Sequence, residues 1–250
     1  MSIQALTNLK SQAIYFNSPL NFNDPFDCRM DIKFRVPYID EVPYILKFLR
    51  EELKDHPKLT EIESQSTGEL AAMGVVLAEN MLKERANEVF KSRGVCCFSE
   101  SNDNLLMWSH YASSAKGFCL EFDTDNEHFG KLLPVEYLDN PPELDYRKIF
   151  SIDGLYFLKA LFCTKSSNWS YEKEWRALHS EINKVYHYPK ESLTGVYFGP
   201  EADQDFLEII CLIIQGQNPE AKFYKGTRSK EHYKVTFEEV NYTPHILANA

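Results

Sequence analysis

The chain has 250 residues, 44% hydrophobic and 14% aromatic, which is too apolar for an intrinsically disordered polymer and long enough to bury a core without metal or disulfide staples. Lys and Arg number 27 against 37 Asp and Glu, a formal charge of −10, which excludes a broad basic face for nucleic acid or anionic lipid and leaves at most a local basic groove. No run of about 18 apolar residues occurs, and the opening MSIQALTNLKSQAIYF has neither a basic leader region nor an unbroken apolar stretch, so the expectation is a cytoplasmic chain with no membrane partner.

In chain order, the first informative stretch is AIYFNSPLNFNDPFDCR. Ile14 to Phe16 can form a strand, after which Asn21, Asn23, Asp24 and Asp27 alternate with aromatics as an ordered polar loop. Between 41 and 92 the pattern turns helical, with VPYILKFLREEL as one segment and STGELAAMGVVLAENMLKERANEVF as a second that carries Leu70, Met73, Leu77 and Met81 at helical spacing. VCCFS reads as a strand, LLMWSHYA as two turns of helix, and GFCLEFD as a strand that opens at a glycine. LLPVEYL reads as one strand, Asp153 to Cys163 as a helix, and KEWRALHSEI as an extended segment. GVYFG, the apolar helix Asp203 to Ile214 and the alternating HYKVTFEE complete the chain.

That order lacks the even strand and helix beat of a doubly wound sheet. It predicts an α+β fold, with a mixed or mainly antiparallel sheet, as a single domain over 1–250 in which 41–92 is a helical insertion or lid. The six cysteines, at 28, 96, 97, 119, 163 and 211, sit mostly in apolar runs rather than in CxxC pairs, so they are expected to be reduced core residues and no metal ligand is assigned.

None of the common dinucleotide, P-loop, zincin or hydrolase-elbow motifs is present, so any site must be assembled from separated positions. Three clusters are candidates. Asn21, Asn23 and Asp24 either shape an Asx-type turn or present an amide or carboxylate to a nucleotide or sugar hydroxyl. Trp108, His110 and Tyr111 either pack a helix against a sheet or hold a ligand, with His110 as a proton carrier. Glu172, Glu174 and Arg176, if the segment is extended, project from one face, either as an edge-strand ion-pair row or as a site where Glu174 steadies developing positive charge. All three clusters are expected to share one cleft, and Glu174→Gln is expected to remove the working charge while leaving the fold nearly intact.

Taken together in this order, NFNDPFD, CCFSE, LLMWSHYA, KGFCLEFD, YEKEWR and GVYFG resemble the bacterial family of uncharacterised proteins catalogued as domain of unknown function 2971, from about Ile14 to about Phe237. The family name supplies no activity, and its members usually open with a Leu-Tyr-Lys-Tyr-like strand where this chain has MSIQALTNLKSQ. A weaker, fold-level resemblance is to ADP-ribosyltransferases. It implies that Glu172 and Glu174 stand where that fold has its late glutamates and that Tyr111 or His110 supplies the middle element, while the first polar position has no match. The expectation is an enzyme on a nucleotide or NAD, with Glu174, Glu172 and His110 catalytic and Asn21, Asn23, Asp24, Tyr111, Trp108 and Arg176 holding the ligand. The alternatives are a non-enzymatic binding module of prophage or defence type and a metal-dependent hydrolase or nuclease using Asp24, Asp27, Glu172 and Glu174.

Overall fold

The computed structural model of the chain describes residues 3–28, 33–54, 57, 60, 67–149 and 155–243. In order, the elements are α1 (Ile3–Lys10), β1 (Ala13–Phe16), β2 (Lys33–Phe34), α2 (Val42–Glu52), α3 (Thr67–Ser92), β3 (Gly94–Ser99), α4 (Leu105–Tyr111) and β4 (Phe118–Phe122). Then come β5 (Leu133–Pro134), β6 (Glu136–Leu138), β7 (Glu143–Leu144), α5 (Tyr146–Ile149), α6 (Leu155–Phe162), β8 (Thr164–Ser166) and β9 (Glu174–His179). Last are β10 (Lys184–His187), β11 (Leu193–Phe198), α7 (Gln204–Gln217), β12 (Lys222–Arg228) and β13 (Val235–Val240). The architecture is α+β with mixed sheets, as the sequence predicts.

The chain divides into two compact units, each discontinuous in sequence. The first comprises 1–17, 94–134 and 170–250, and the second 18–93 and 135–169. The segment 41–92 therefore shares its unit with 18–40 and 135–169.

In the first unit a four-stranded sheet runs β13-β12-β11-β4, with β11 and β12 parallel and the outer pairs antiparallel. The parallel pair is joined through α7, capped at Asp203, whose side chain accepts from the Asp205 and Phe206 amides. Leu207, Ile210, Cys211 and Ile214 share one stripe of α7 at helical spacing and join Val196, Phe198 and Phe223 in the principal core. Each large apolar residue buried there contributes about 1.5–3 kcal/mol. Alternation along β11 turns Tyr197 the other way, into a smaller cluster with Trp108, Ala112, Val235 and Phe237, so α4 covers part of the opposite face. A second, antiparallel sheet runs β3-β9-β5, and β1 pairs with β10.

In the second unit α2 and α3 pack through Ile45, Leu49 and Ala78 onto Tyr146, whose ring stacks on Phe34 at 5.5 Å. The buried stripe of α3 is Ala78, Leu82, Ala86 and Phe90, whereas Met73 is exposed. The side chain of Leu70 lies outside those described. Small residues set the approach of the helices: a Cβ on Gly74 would come 3.1 Å from Leu46 Cδ2 and 3.3 Å from Leu49 Cδ1. Two short parallel pairs, β2 with β7 and β6 with β8, complete the unit.

Several expectations need correction. LLPVEYL is two strands rather than one, with β5 in the first unit and β6 in the second. Pro134 supplies no amide to a ladder, so pairing breaks there. Of the helix expected from Asp153 to Cys163, Leu155–Phe162 is helical, and 153–154 lie outside the described residues. The segment β9 is the central strand of its sheet and not an edge.

Candidate functional site

The sequence Asn104 to Tyr111 folds as a short helix because Asn104 caps it, its Oδ1 accepting from the amides of Leu106 at 2.9 Å and Met107 at 3.2 Å. Trp108 locks the helix down. Its ring is buried and its indole N–H donates to the Asn102 carbonyl at 2.6 Å, so it is a packing residue whose faces are taken by the fold. The helix stops in a turn where Ser113, Ser114 and Ala115 all take left-handed φ values of 52°, 58° and 65°, a conformation that costs each non-glycine residue about 1–2 kcal/mol. Gly199 abuts that turn, and a Cβ there would fall 2.1 Å from the Ala115 carbonyl oxygen. Around it α4 presents Leu105, Leu106, His110 and Tyr111 to solvent.

The other half of the site comes from the segment before β9. Ser167–Glu172 is a 3-10 helix and not part of an extended strand, and Lys173 follows with φ of 46°. The expectation that Glu172, Glu174 and Arg176 share one face therefore holds only for the last two. Glu172 is turned away by the left-handed residue between them. Its carbonyl accepts from Ser99 Oγ at 2.6 Å, and its carboxylate Oε1 accepts from the Tyr111 hydroxyl at 2.6 Å. Glu172 is 2% exposed and Tyr111 53%, so an accessible phenol is tied to a carboxylate that water barely reaches.

Glu174 has a different environment. Arg176 Nε donates to its Oε1 at 2.7 Å and the guanidinium Nη2 to its Oε2 at 3.0 Å, with both side chains buried. Both lie on the sheet face that also carries their cross-strand partners, Ser99 and Cys97. Trp175 takes the other face, donating its indole N–H to Glu100 at 2.6 Å. The expected edge-strand ion-pair row is thus a buried bidentate pair, and a Gln at 174 would remove one counter-charge from a buried guanidinium.

All six cysteines are free, with Cys28, Cys163 and Cys211 buried, while Cys97 keeps accessible surface although burial, and then Glu174 beside it, push its thiol well up. Burial pushes the Cys96 thiol up to about 12 and the Cys119 thiol up to about 11, which keeps both protonated near neutrality. His110 lies edge-on to Tyr111, with ring centres 6.3 Å apart.

Asn21, Asn23 and Asp24 belong to the second unit. Asp24 Oδ1 accepts from the Phe26 amide at 2.9 Å, making the Asx turn that its sequence suggests. Among the described residues its buried Oδ2 has no hydrogen-bond partner, while Asn21 and Asn23 keep accessible surface. Asp27 meets Lys165 at 3.5 Å, and that ammonium lies 5.0 Å from the Trp169 ring centre. Lys165 was invisible to sequence reasoning, because a lysine in CTKSSNW carries no sign of burial. Among the described residues, no group of three or more His, Cys, Asp or Glu side chains is placed to hold a metal ion, and no helix is long and apolar enough to cross a membrane.

This geometry gives a place to the comparisons with known proteins. Residues 107–177 match the family model described as Protein of unknown function (DUF2971). The matched segment begins in α4, passes through 135–169 of the second unit and returns through Glu172, Glu174 and Arg176. Neither the curated proteins nor the solved structures contain a significant match to the chain, so nothing in the comparisons supports a likeness to ADP-ribosyltransferases.

Proposed function

We propose that the surface around Tyr111 and Glu172 is an active site for transfer at the ribosyl carbon of a nucleotide, with NAD as the substrate that best fits the chemistry. The observation that carries this reading is the 2.6 Å hydrogen bond from an accessible phenol to a buried carboxylate. Breaking the bond between ribose and base leaves positive charge on the sugar, and a fixed carboxylate is the group that stabilises it. Both oxygens of Glu174 are committed to Arg176, so this role falls to Glu172. Tyr111 fixes the Glu172 carboxylate and presents its own oxygen to a ribose hydroxyl. His110, exposed and edge-on to Tyr111 with ring centres 6.3 Å apart, is the aromatic neighbour that a base would meet there.

The test is release of nicotinamide from NAD by the purified chain, followed by chromatography, alongside thermal shift with NAD and other nucleotides. Tyr111→Phe and Glu172→Gln should each lower turnover about 10²–10³-fold, whereas Glu174→Gln should act through stability. Stabilisation by a nucleotide without turnover in any protein acceptor mixture would make the site a binding module. Neither stabilisation nor turnover would remove nucleotides from consideration.

A further inference from the structure

The second unit carries a feature that the proposed site does not use. Between β2 and the first turn of α2, the stretch VPYIDEVPY exposes Val36 at 86%, Tyr38 at 63%, Ile39 at 91% and Tyr44 at 56%. Apolar side chains concentrated this way in nine consecutive residues are uncommon on a monomer surface.

The stretch is also fixed in shape. Arg35 holds both oxygens of the buried Glu41 and reaches Asp145 at 3.1 Å. Arg147 adds Glu41 at 2.9 Å and Asp40 at 2.6 Å, while Glu41 Oε2 accepts the Tyr38 amide at 2.8 Å. The Arg35 guanidinium lies 4.5 Å from the centre of the Tyr38 ring. An apolar surface held in advance binds at a smaller ordering cost than a mobile one.

We propose that this patch is the contact by which two copies of the chain associate about a two-fold axis. Two observations select a second copy as the occupant. The four side chains offer on the order of 500 Å2 per copy, so a self-pairing buries on the order of 1,000 Å2, short of the standard interface and in the range of weak, reversible pairs. The ions around the patch are two arginines against three carboxylates. That near balance sits on a chain of net charge −10, so here two acidic copies meet with little repulsion. The half-exposed Asp40 and Arg147 give each copy one charge of each sign to set against its two-fold image.

Sedimentation velocity over a wide concentration range tests this, with Val36→Asp and Ile39→Asp as variants. Both side chains are so exposed that the monomer fold should tolerate the change, which circular dichroism checks. The expected result is a reversible dimer of a 29.1 kDa chain whose dissociation constant rises at least about tenfold in each variant, because each places a charge in an apolar contact. Ile209→Asp, on the solvent side of α7 in the first unit, should leave the dimer intact. A wild-type chain that stays monomeric throughout overturns the proposal. So does a dimer that survives both patch variants, or one that Ile209→Asp alone disrupts.

Discussion

Glu172 and Glu174 are two residues apart and alike in chemistry, yet one left-handed residue between them gives them different work. Lys173 reverses the alternation of a strand, so Glu172 meets Tyr111 while Glu174 meets Arg176. The second pair is buried, and removing one partner of such a pair typically costs about 3–5 kcal/mol, whereas replacing both by uncharged groups of similar shape costs far less. Glu174→Gln and Arg176→Met should therefore each destabilise the chain by about 3–5 kcal/mol in urea unfolding, and the double variant should be more stable than either single one. Additive losses would show that the two charges do not compensate one another. Glu172→Gln retains an acceptor for the Tyr111 hydroxyl and should cost only about 1 kcal/mol, which makes it the cleaner probe of chemistry. The sequence made both glutamates candidates because YEKEWR alternates like a strand, and nothing in those letters marks Lys173 as the place where the alternation turns over.

Among elements, the turn that leads into α2 depends on charge more than on apolar burial. Its Glu41 accepts from two arginines and a backbone amide, and the hydrogen bonds from Arg35 lead in holding its carboxyl at about 2, below the ordinary value of 4.5. A carboxylate lowered in this way stabilises the folded state fully above about pH 4.5, and that contribution disappears as the pH falls through about 2. Melting temperatures of the chain and of Glu41→Gln should therefore differ at neutral pH and converge between pH 4.5 and 2. A gap of constant size would mean that Glu41 acts through shape alone. The sequence displayed other elements plainly: β3, β4, β11 and α7 are apolar runs bounded by Gly, Asp or Asn, and burial of one stripe dictates their period. It hid β10, whose residues are largely exposed and carry no in-and-out pattern. It also hid the inward stripe of α3, where Ala78 and Ala86 are buried and Met73 is exposed.

At the scale of the whole molecule, a sequence scan suggests one domain with a helical interruption, because length and apolar content cannot show which distant segments pair. The two units exchange the chain four times, after residues 17, 93, 134 and 169. The family match spans three of the resulting segments, so a fragment cut to 107–177 would contain neither unit whole. The charge distribution belongs to this scale too. An excess of ten negative charges sets copies of the chain against one another on average, and the proposed pairing uses a stretch around Tyr38 where the ions nearly balance.

The pairing of β1 with β10 joins Ala13 to His187 and Phe16 to Lys184. A ribosome adds about 5–20 residues each second, so on the order of ten to thirty seconds separate the synthesis of these partners. All segments of the second unit have been made by residue 169, while AIYF still waits, an apolar strand with its edge unpaired. Strand β1 therefore meets this partner only after every segment of the second unit has been made, and faster elongation would shorten the wait.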